Sequence, residues 1–439
     1  MKIQALKIKG LFEMFTYDIS FINEDNIRII TGTNGFGKTM ILNIIFNLFN
    51  KRFSFFQKLV FEEIEVLLDN EMTVKILKKQ DINKPKLTFF FYEKNKEIDK
   101  VEYSTKMDRE LERNIERHLP MHKIDSDKWF DSANQRVMSI DEVLLEYGDL
   151  IFPETKKNNL INKNSEVNEI LSSIHVHLIK EQRLFKKVLL SERDYRLRQD
   201  REQTIMMETI NTYAKELKKI ISDNIQKSFT QTQALDSTYL DRLIDEKNKI
   251  SENDYKLRLL SLNEKQEKLI EFGLYESKQK VRDYSQEDAK ALLIYIHDLE
   301  QKLRVFDELL DKLELFTDIL NDRRFTFKTI NISREKGFLF KTSAGKELEL
   351  DQLSSGEQHE VILLYELIFN VKANTVVLID EPEISLHVAW QKEFLSDLKK
   401  IVKLHNTQVI IATHSPAIIN GLWDLVYTLK KEEEIHGAE

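Results

Sequence analysis

Gly32 and Gly37 are separated by four residues and are followed directly by Lys38 and Thr39, in the stretch Gly32-Thr33-Asn34-Gly35-Phe36-Gly37-Lys38-Thr39-Met40. This spacing spells a loop whose backbone N–H groups can curl round a phosphate. Lys38 would reach the β- and γ-phosphates of a nucleoside triphosphate, and the Thr39 hydroxyl would hold Mg²⁺. A second group of chemistry-bearing residues lies far along the chain, where the apolar run Val376-Val377-Leu378-Ile379 ends in Asp380 and Glu381. Two carboxylates at the end of a buried strand suit Mg²⁺ binding through water (Asp380) and polarisation of an attacking water (Glu381).

The flanking segments have the periodicity needed to present both groups. Ile27, Ile29 and Ile30 predict a strand entering the glycine-rich loop, and residues 41–49, ILNIIFNLF, predict the helix leaving it. That helix adds its positive N-terminal end to the phosphate site. Residues 56–104 alternate in short β-rich runs separated by DNE, DINKP and KNKE, predicting an antiparallel meander. Residues 105–170 are polar and mixed, predicting short helices and a mobile connection. SIHVHLI (173–179) predicts a further strand.

From 186 to 322 the chain is nearly free of Gly and Pro and dense in Lys, Glu, Arg and Leu, which is helical composition. Leu292, Ile296, Leu299, Leu303, Phe306, Leu310 and Leu313 form a heptad seam, predicting one helix over 288–320, roughly 48 Å long, in an antiparallel hairpin. Strands return between 325 and 350.

The 439 residues allow two or three structural units, with 41% hydrophobic and 32% charged residues. No apolar run approaches the length of a membrane span, and the charged start MKIQALKIKG is no signal peptide, so a cytoplasmic location is expected. The absence of cysteine excludes disulfides and thiolate zinc sites. A net charge of −8 argues against a basic clamp on nucleic acid, and DNA binding by the chain alone is expected to be weak.

Leu353-Ser354-Ser355-Gly356-Glu357-Gln358 closely resembles the signature motif of ABC-type ATPases, ahead of Asp380 at a spacing that family shows. Its hydroxyls and glycine, placed before the apolar stretch HEVILLYELIF, are suited to an anion-binding helix start. In VIIATHSP, His414 occupies the place of the family's switch histidine. Gln182, after the 173–179 strand, stands where a Q-loop glutamine would touch Mg²⁺, with Arg183 as the alternative phosphate sensor. At the D-loop aspartate position stands His387, in EPEISLH, a spelling similar to that of OLD-like and antiphage-system ATPases.

The layout resembles the SMC, RecF and OLD branch of ABC-type, AAA-family ATPases. It implies an α/β fold with a mixed-sheet core, an antiparallel β subdomain and an inserted short coiled-coil hairpin. The ATPase halves would be 1–185 and 323–439, with the insertion at 186–322. The cofactors implied are ATP and Mg²⁺, and Lys38, Glu381 and His414 are the implied catalytic residues. In that family the phosphate loop and the signature face a partner's, so ATP would lie between Gly32–Thr39 of one copy and Ser354–Gln358 of another, in a head-to-tail homodimer. The insertion is too short for an SMC arm, and no room follows His414 for the TOPRIM nuclease of OLD proteins. Stand-alone ATPases of PARIS, Septu and retron antiphage systems look similar, implying an ATPase that controls a separate toxic effector such as a nuclease. A RecF-like ATPase of DNA repair is the alternative.

Overall fold

The computed structural model describes residues 1–79, 86–103, 109–119, 121–125, 128–132, 136–140, 142–143, 147, 166–180, 183–189, 204–276, 282–322, 325, 327–384 and 386–430. In chain order, β1 (Ile3–Leu11), β2 (Phe15–Ser20) and β3 (Ile27–Thr31) precede α1 (Lys38–Phe49) and α2 (Ser54–Lys58). The meander follows as β4 (Glu63–Leu68), β5 (Met72–Lys79), β6 (Lys86–Glu93) and β7 (Lys96–Tyr103). Next come α3 (Arg109–His118), β8 (Met121–Asp125), β9 (Lys128–Asp131), β10 (Arg136–Ser139), α4 (Glu166–Ser173), β11 (His175–Ile179), β12 (Phe185–Leu189) and β13 (Thr204–Glu208).

A helical stretch contains α5 (Thr209–Ser237), α6 (Tyr239–Asp245), α7 (Glu252–Glu271), α8 (Ala289–Arg304) and α9 (Asp307–Asp322). It leads into β14 (Lys328–Ser333), β15 (Gly337–Thr342), β16 (Glu347–Leu348) and α10 (Ser355–Tyr365). The chain finishes with β17 (Thr375–Asp380), α11 (Val388–His405), β18 (Gln408–Ala412), α12 (Pro416–Ile419) and β19 (Val426–Thr428). Two compact units result, one of residues 1–207 with 370–439 and the other of residues 208–369. The second unit thus begins after 186 and runs beyond 322, taking in the signature segment. Among the described residues no helix is long and apolar enough to cross a membrane.

In the first unit the parallel sheet has the order β11-β17-β18-β3-β19. Its central strands are apolar in their middle residues, and every residue of β17 and β18 is buried, as expected when both faces of a parallel sheet are covered. A six-stranded antiparallel sheet, β2-β1-β4-β5-β6-β7, extends the expected meander by the first two strands. One hydrophobic cluster joins both sheets through α1, with Ile41, Leu42, Ile44, Ile45 and Leu48 buried among Leu6, Val66, Phe89, Leu378 and Ile410. Gln408 adds a polar tie, its amide pairing with the backbone N–H and C=O of Ile3 at 2.9 and 2.8 Å.

Strands β8, β9 and β10 form a three-stranded sheet in the order β10-β9-β8, within the polar region expected to hold short helices and a mobile connection. Trp129 is fully buried in a small core with Ile115, Met121 and Val143. A single apolar anchor per short strand is too little alternation to be recognised from sequence. Strands β12 and β13 likewise occupy residues whose composition predicts helix from 186 onward.

The second unit holds the seam, and all seven of its apolar residues are buried. The expected continuous helix is broken between α8 and α9 at Val305 and Phe306. Lys302 and Arg304 close α8 while Asp307 and Glu308 open α9, so each helix end meets the charge its dipole favours. Helix α5 runs antiparallel to α8–α9. Tyr213 stacks on Tyr365, which also meets Phe316, and further along Gln231 and Asp236 reach Gln301 and Lys302. Helix α7 lies beside this hairpin and parallel to α8–α9, with Arg258 paired to Glu300, Lys265 to Asp307 and Lys268 to Glu314.

Gly337 is where β15 meets α5. It has φ +81°, and a Cβ there would lie 1.9 Å from the Ala214 carbonyl oxygen. Gly345 has a similar φ of +78° but open space around it. Gly337→Ala should therefore destabilise the second unit by at least about 3 kcal/mol, strain and backbone clash together. Gly345→Ala should cost about 1 kcal/mol from strain alone. Hydrogen exchange of α5 and β15 amides with increasing denaturant measures both, and equal losses would contradict the close approach.

Candidate functional site

Register places the chemistry. Asp380 pairs with Ala412 across β17 and β18, and Ala412 pairs with Ile30 across β18 and β3. The three strands therefore end in line, and the loops that follow them emerge from one edge of a parallel sheet, where open α/β folds bind ligands. From β3 the chain turns through Gly35 (φ +88°) and Gly37 (φ +85°) into α1. Gly37 is the N-cap of α1 and no side chain caps that end, so the first helical N–H groups are available to an anion. Thr33, Asn34 and Gly35 are exposed at the turn. Phe36 is anchored instead: Tyr17 donates its hydroxyl to the Phe36 carbonyl at 2.8 Å, and the Phe36 ring meets Phe15 at 5.3 Å. Met40 packs against the core.

Lys38 folds back over this loop. Its buried Nζ donates to the carbonyls of Gly32 and Thr33 at 3.1 and 3.4 Å and lies 3.4 Å from His414 Nδ1. Burial lowers the ammonium's pKa, against the pull of Glu381, Asp380 and Glu383, which raise it. Thr39 donates its hydroxyl to Asp380 Oδ1 at 3.0 Å. Those are two hard oxygen donors side by side, the set Mg²⁺ takes when substrate phosphates and water complete its shell. Among the described residues no group of three or more His, Cys, Asp or Glu is disposed to hold a metal ion.

Glu381 has left-handed backbone geometry (φ +44°) and donates its N–H to Ala412 O at 2.9 Å. Its Oε1 lies 3.3 Å from His414 Nε2. Burial pushes the Glu381 carboxyl up to about 8, helped by the neighbouring Glu383. Burial and the Lys38 charge push His414 below its usual value. The contact at neutral pH is thus a hydrogen bond between largely uncharged groups. Because an ammonium only donates, His414 Nδ1 accepts from Lys38, which assigns the proton to Nε2 and makes that atom the donor to Glu381. Once it has given up that proton, the Glu381 carboxylate has the raised basicity suited to taking one from water, at slightly alkaline pH.

Gln182 lies outside the described residues. Arg183 is buried, and its Nη2 reaches the Pro382 carbonyl at 3.5 Å, within the turn that carries Glu381. Sequence reasoning passed over Glu383, whose Oε1 accepts from Thr413, His414 and Ser415. The repeated acid in Glu381-Pro382-Glu383 was the available signal.

In the second unit, Ser354 is the N-cap of α10 and the helix begins at Ser355, so Gly356 lies inside the first turn and not ahead of the helix as expected. The reason is a capping box. Glu357 N–H donates to Ser354 Oγ at 3.4 Å, and Ser354 N–H donates to Glu357 Oε2 at 2.8 Å. Lys328 pairs with the same carboxylate at 2.8 Å. Burial acts to raise the Glu357 carboxyl, but Lys328 and Ser354 together hold it below the ordinary value. Gln358 donates its side-chain amide to Leu353 O at 3.0 Å. Ser355 remains exposed.

The Glu381 carboxyl supplies a pH test. Its proton is held to about pH 8 in the folded chain against a reference of 4.5 unfolded. The stability it contributes is complete below about 4.5 and is lost progressively as pH rises to about 8. Glu381→Gln has no such titration. In nucleotide- and magnesium-free buffer its melting midpoint should therefore gain on the wild type as pH rises through that window. Parallel curves would contradict the assignment.

A family model described as an AAA ATPase domain matches residues 1–419. Protein ea59 of Escherichia phage lambda is 35% identical over 68 residues, which is 16% of this chain. The match spans only 13% of that protein's length. Among solved structures, the Pyrococcus furiosus Smc head domain with an extended coiled coil, bound to the C-terminal domain of ScpA, is 13% identical with a TM-score of 0.36, covering 98% of this chain and 94% of that one. The SMC head domain from Thermotoga maritima is 11% identical with a TM-score of 0.35, covering 98% and 94%. TM-scores this low add nothing to the strand order and motif geometry described above. The match from the first residue through the loop carrying His414 is a different matter, and by it the chain belongs to the AAA ATPase domain family.

Proposed function

We propose that this chain binds ATP with Mg²⁺ and hydrolyses it slowly, and that two copies pair around the nucleotide to control a separate effector, a nuclease, in defence against phage. The observation that carries the hydrolytic reading is the convergence of Lys38, Thr39, Asp380, Glu381 and His414 in one set of contacts at the sheet edge. Incoming phosphates replace the Gly32 and Thr33 carbonyls as partners of Lys38, whose charge then opposes the charge developing on the transferred group. The uncapped start of α1 adds backbone donors. Glu381 orients water and receives its proton, and His414 holds Glu381 from the other side. Mg²⁺, when bound at Thr39 and Asp380, neutralises charge on the phosphate oxygens.

Pairing is supported by the motif count, one phosphate loop and one signature per chain, and by the exposure of Ser355 at the start of α10. A head-to-tail pair places Gly32–Thr39 of one copy against Ser354–Gln358 of the other, the simplest closed arrangement that completes both sites. ATP binding that favours the closed pair shifts the population toward it. The α5 and α8–α9 hairpin is the element we assign to effector contact.

Lys38→Ala should abolish ATP binding. Glu381→Gln should keep binding and lower turnover at least about a hundredfold, and it should sediment as a dimer at saturating ATP. Ser355→Arg should bind ATP as a monomer without turnover, because its side chain fills the space of the partner's γ-phosphate. Normal turnover by Glu381→Gln sinks the hydrolytic reading, and normal turnover by Ser355→Arg sinks the paired site.

A further inference from the structure

Strand β17 ends in Asp380 and the turn after it carries Glu381 and Glu383, and the chemistry above uses only the first two of these acids. Glu383 Oε1 accepts three hydrogen bonds, from Thr413 Oγ1 at 2.7 Å, from the His414 N–H at 2.8 Å and from the Ser415 N–H at 3.1 Å. All three donors belong to the loop after β18. Gln391, on α11, completes the link. Its Nε2 donates to the carbonyls of Glu383 and Leu386 at 3.3 and 3.0 Å, and its Oε1 accepts from Ser415 Oγ at 2.7 Å. Ser415 Oγ in turn accepts from the Ala417 N–H at 3.2 Å, capping α12. One orientation of the Gln391 amide satisfies every bond.

The two loops leave adjacent parallel strands, where ladder bonding between β17 and β18 ends at Asp380 and Ala412. Beyond that point side chains must do what the ladder no longer does. Bonds from N–H or O–H to a carboxylate are charge-assisted and among the stronger ones available. What they hold is His414, one residue whose ring nitrogens face Lys38 and Glu381 at once.

We propose that Glu383 is a positioning residue: through Thr413, His414 and Ser415 it fixes the loop after β18 so that the His414 imidazole spans Lys38 and Glu381. Its effect on turnover rests on the hydrolytic reading above, but its hold on the loop does not. Gln391 ties the same loop to α11, whose N-cap is His387.

The test compares Glu383→Ala, which removes the acceptor, with Glu383→Gln, which keeps an oxygen in the same place. Hydrogen exchange in the nucleotide-free protein reads the loop directly. The His414 and Ser415 amides should exchange faster in Glu383→Ala and stay protected in Glu383→Gln. Steady-state kinetics should show kcat reduced about a hundredfold in Glu383→Ala with KM within about threefold, since misplacement of a catalytic group by about 1 Å costs that much. Glu383→Gln should restore most of kcat. Thr413→Val is a milder cut that preserves volume. It removes one bond to Glu383 and the 2.9 Å bond that Ser415 N–H donates to Thr413 Oγ1, and should speed Ser415 exchange. Unchanged protection in both Glu383→Ala and Thr413→Val overturns the proposal. So does a kcat loss in Glu383→Gln as deep as in Glu383→Ala with protection intact, which would assign the effect to charge. A wild-type chain without ATPase activity removes the hydrolytic reading, while the exchange comparison still decides whether Glu383 holds the loop.

Discussion

The shared register of β17, β18 and β3 is the constraint on which the site depends. Ile30, Ala412 and Asp380 stand opposite one another, so the phosphate loop, the His414 loop and the acidic turn leave the sheet at one level. A slip of one residue in any of these strands would reverse its alternation and remove its functional residue from that edge. The burial of every residue of β17 and β18 is what resists such a slip.

This arrangement brings Lys38 and three carboxylates together in buried and half-buried positions beside the exposed imidazole of His414. Charges in such a place are tolerated when they are paired and hydrogen-bonded. Lys38 takes loop carbonyls, Thr39 takes Asp380, and Glu383 is saturated on one oxygen by three donors. Glu381 is partly withdrawn from water and sits beside a second carboxyl, that of Glu383. It responds by holding its proton to about pH 8. The residue with the strained φ and the raised pKa is thus the one proposed to accept a proton from water, the pattern expected of a site built for chemistry over stability.

Legibility in the sequence followed the range of the physics involved. The glycine-rich turn into α1 and the buried strand ending in Asp380 are local, and both are readable because backbone chemistry dictates their spelling. The heptad seam marks buried positions, but the apolar stepping continues across the break at Val305 and Phe306, which only the charges at 302–308 signal. The start of α10 is harder to read, because Ser354 and Glu357 fit a signature motif and also spell a capping box. The second acid of Glu381-Pro382-Glu383 is visible in the sequence, but what it binds is not. Its three donors lie thirty or so positions away, at Thr413 to Ser415, and only the adjacency of β17 and β18 brings them within reach.

The central claim is that this sheet edge is a nucleotide site completed by a divalent ion. Isothermal titration of a non-hydrolysable ATP analogue into the wild-type chain, with and without Mg²⁺, tests it most directly. The account predicts one analogue bound per chain and an affinity lowered at least about tenfold when Mg²⁺ is withheld, the loss expected when the charge shared by Thr39 and Asp380 is missing. Absence of saturable binding at millimolar analogue, or an affinity indifferent to the ion, would contradict it.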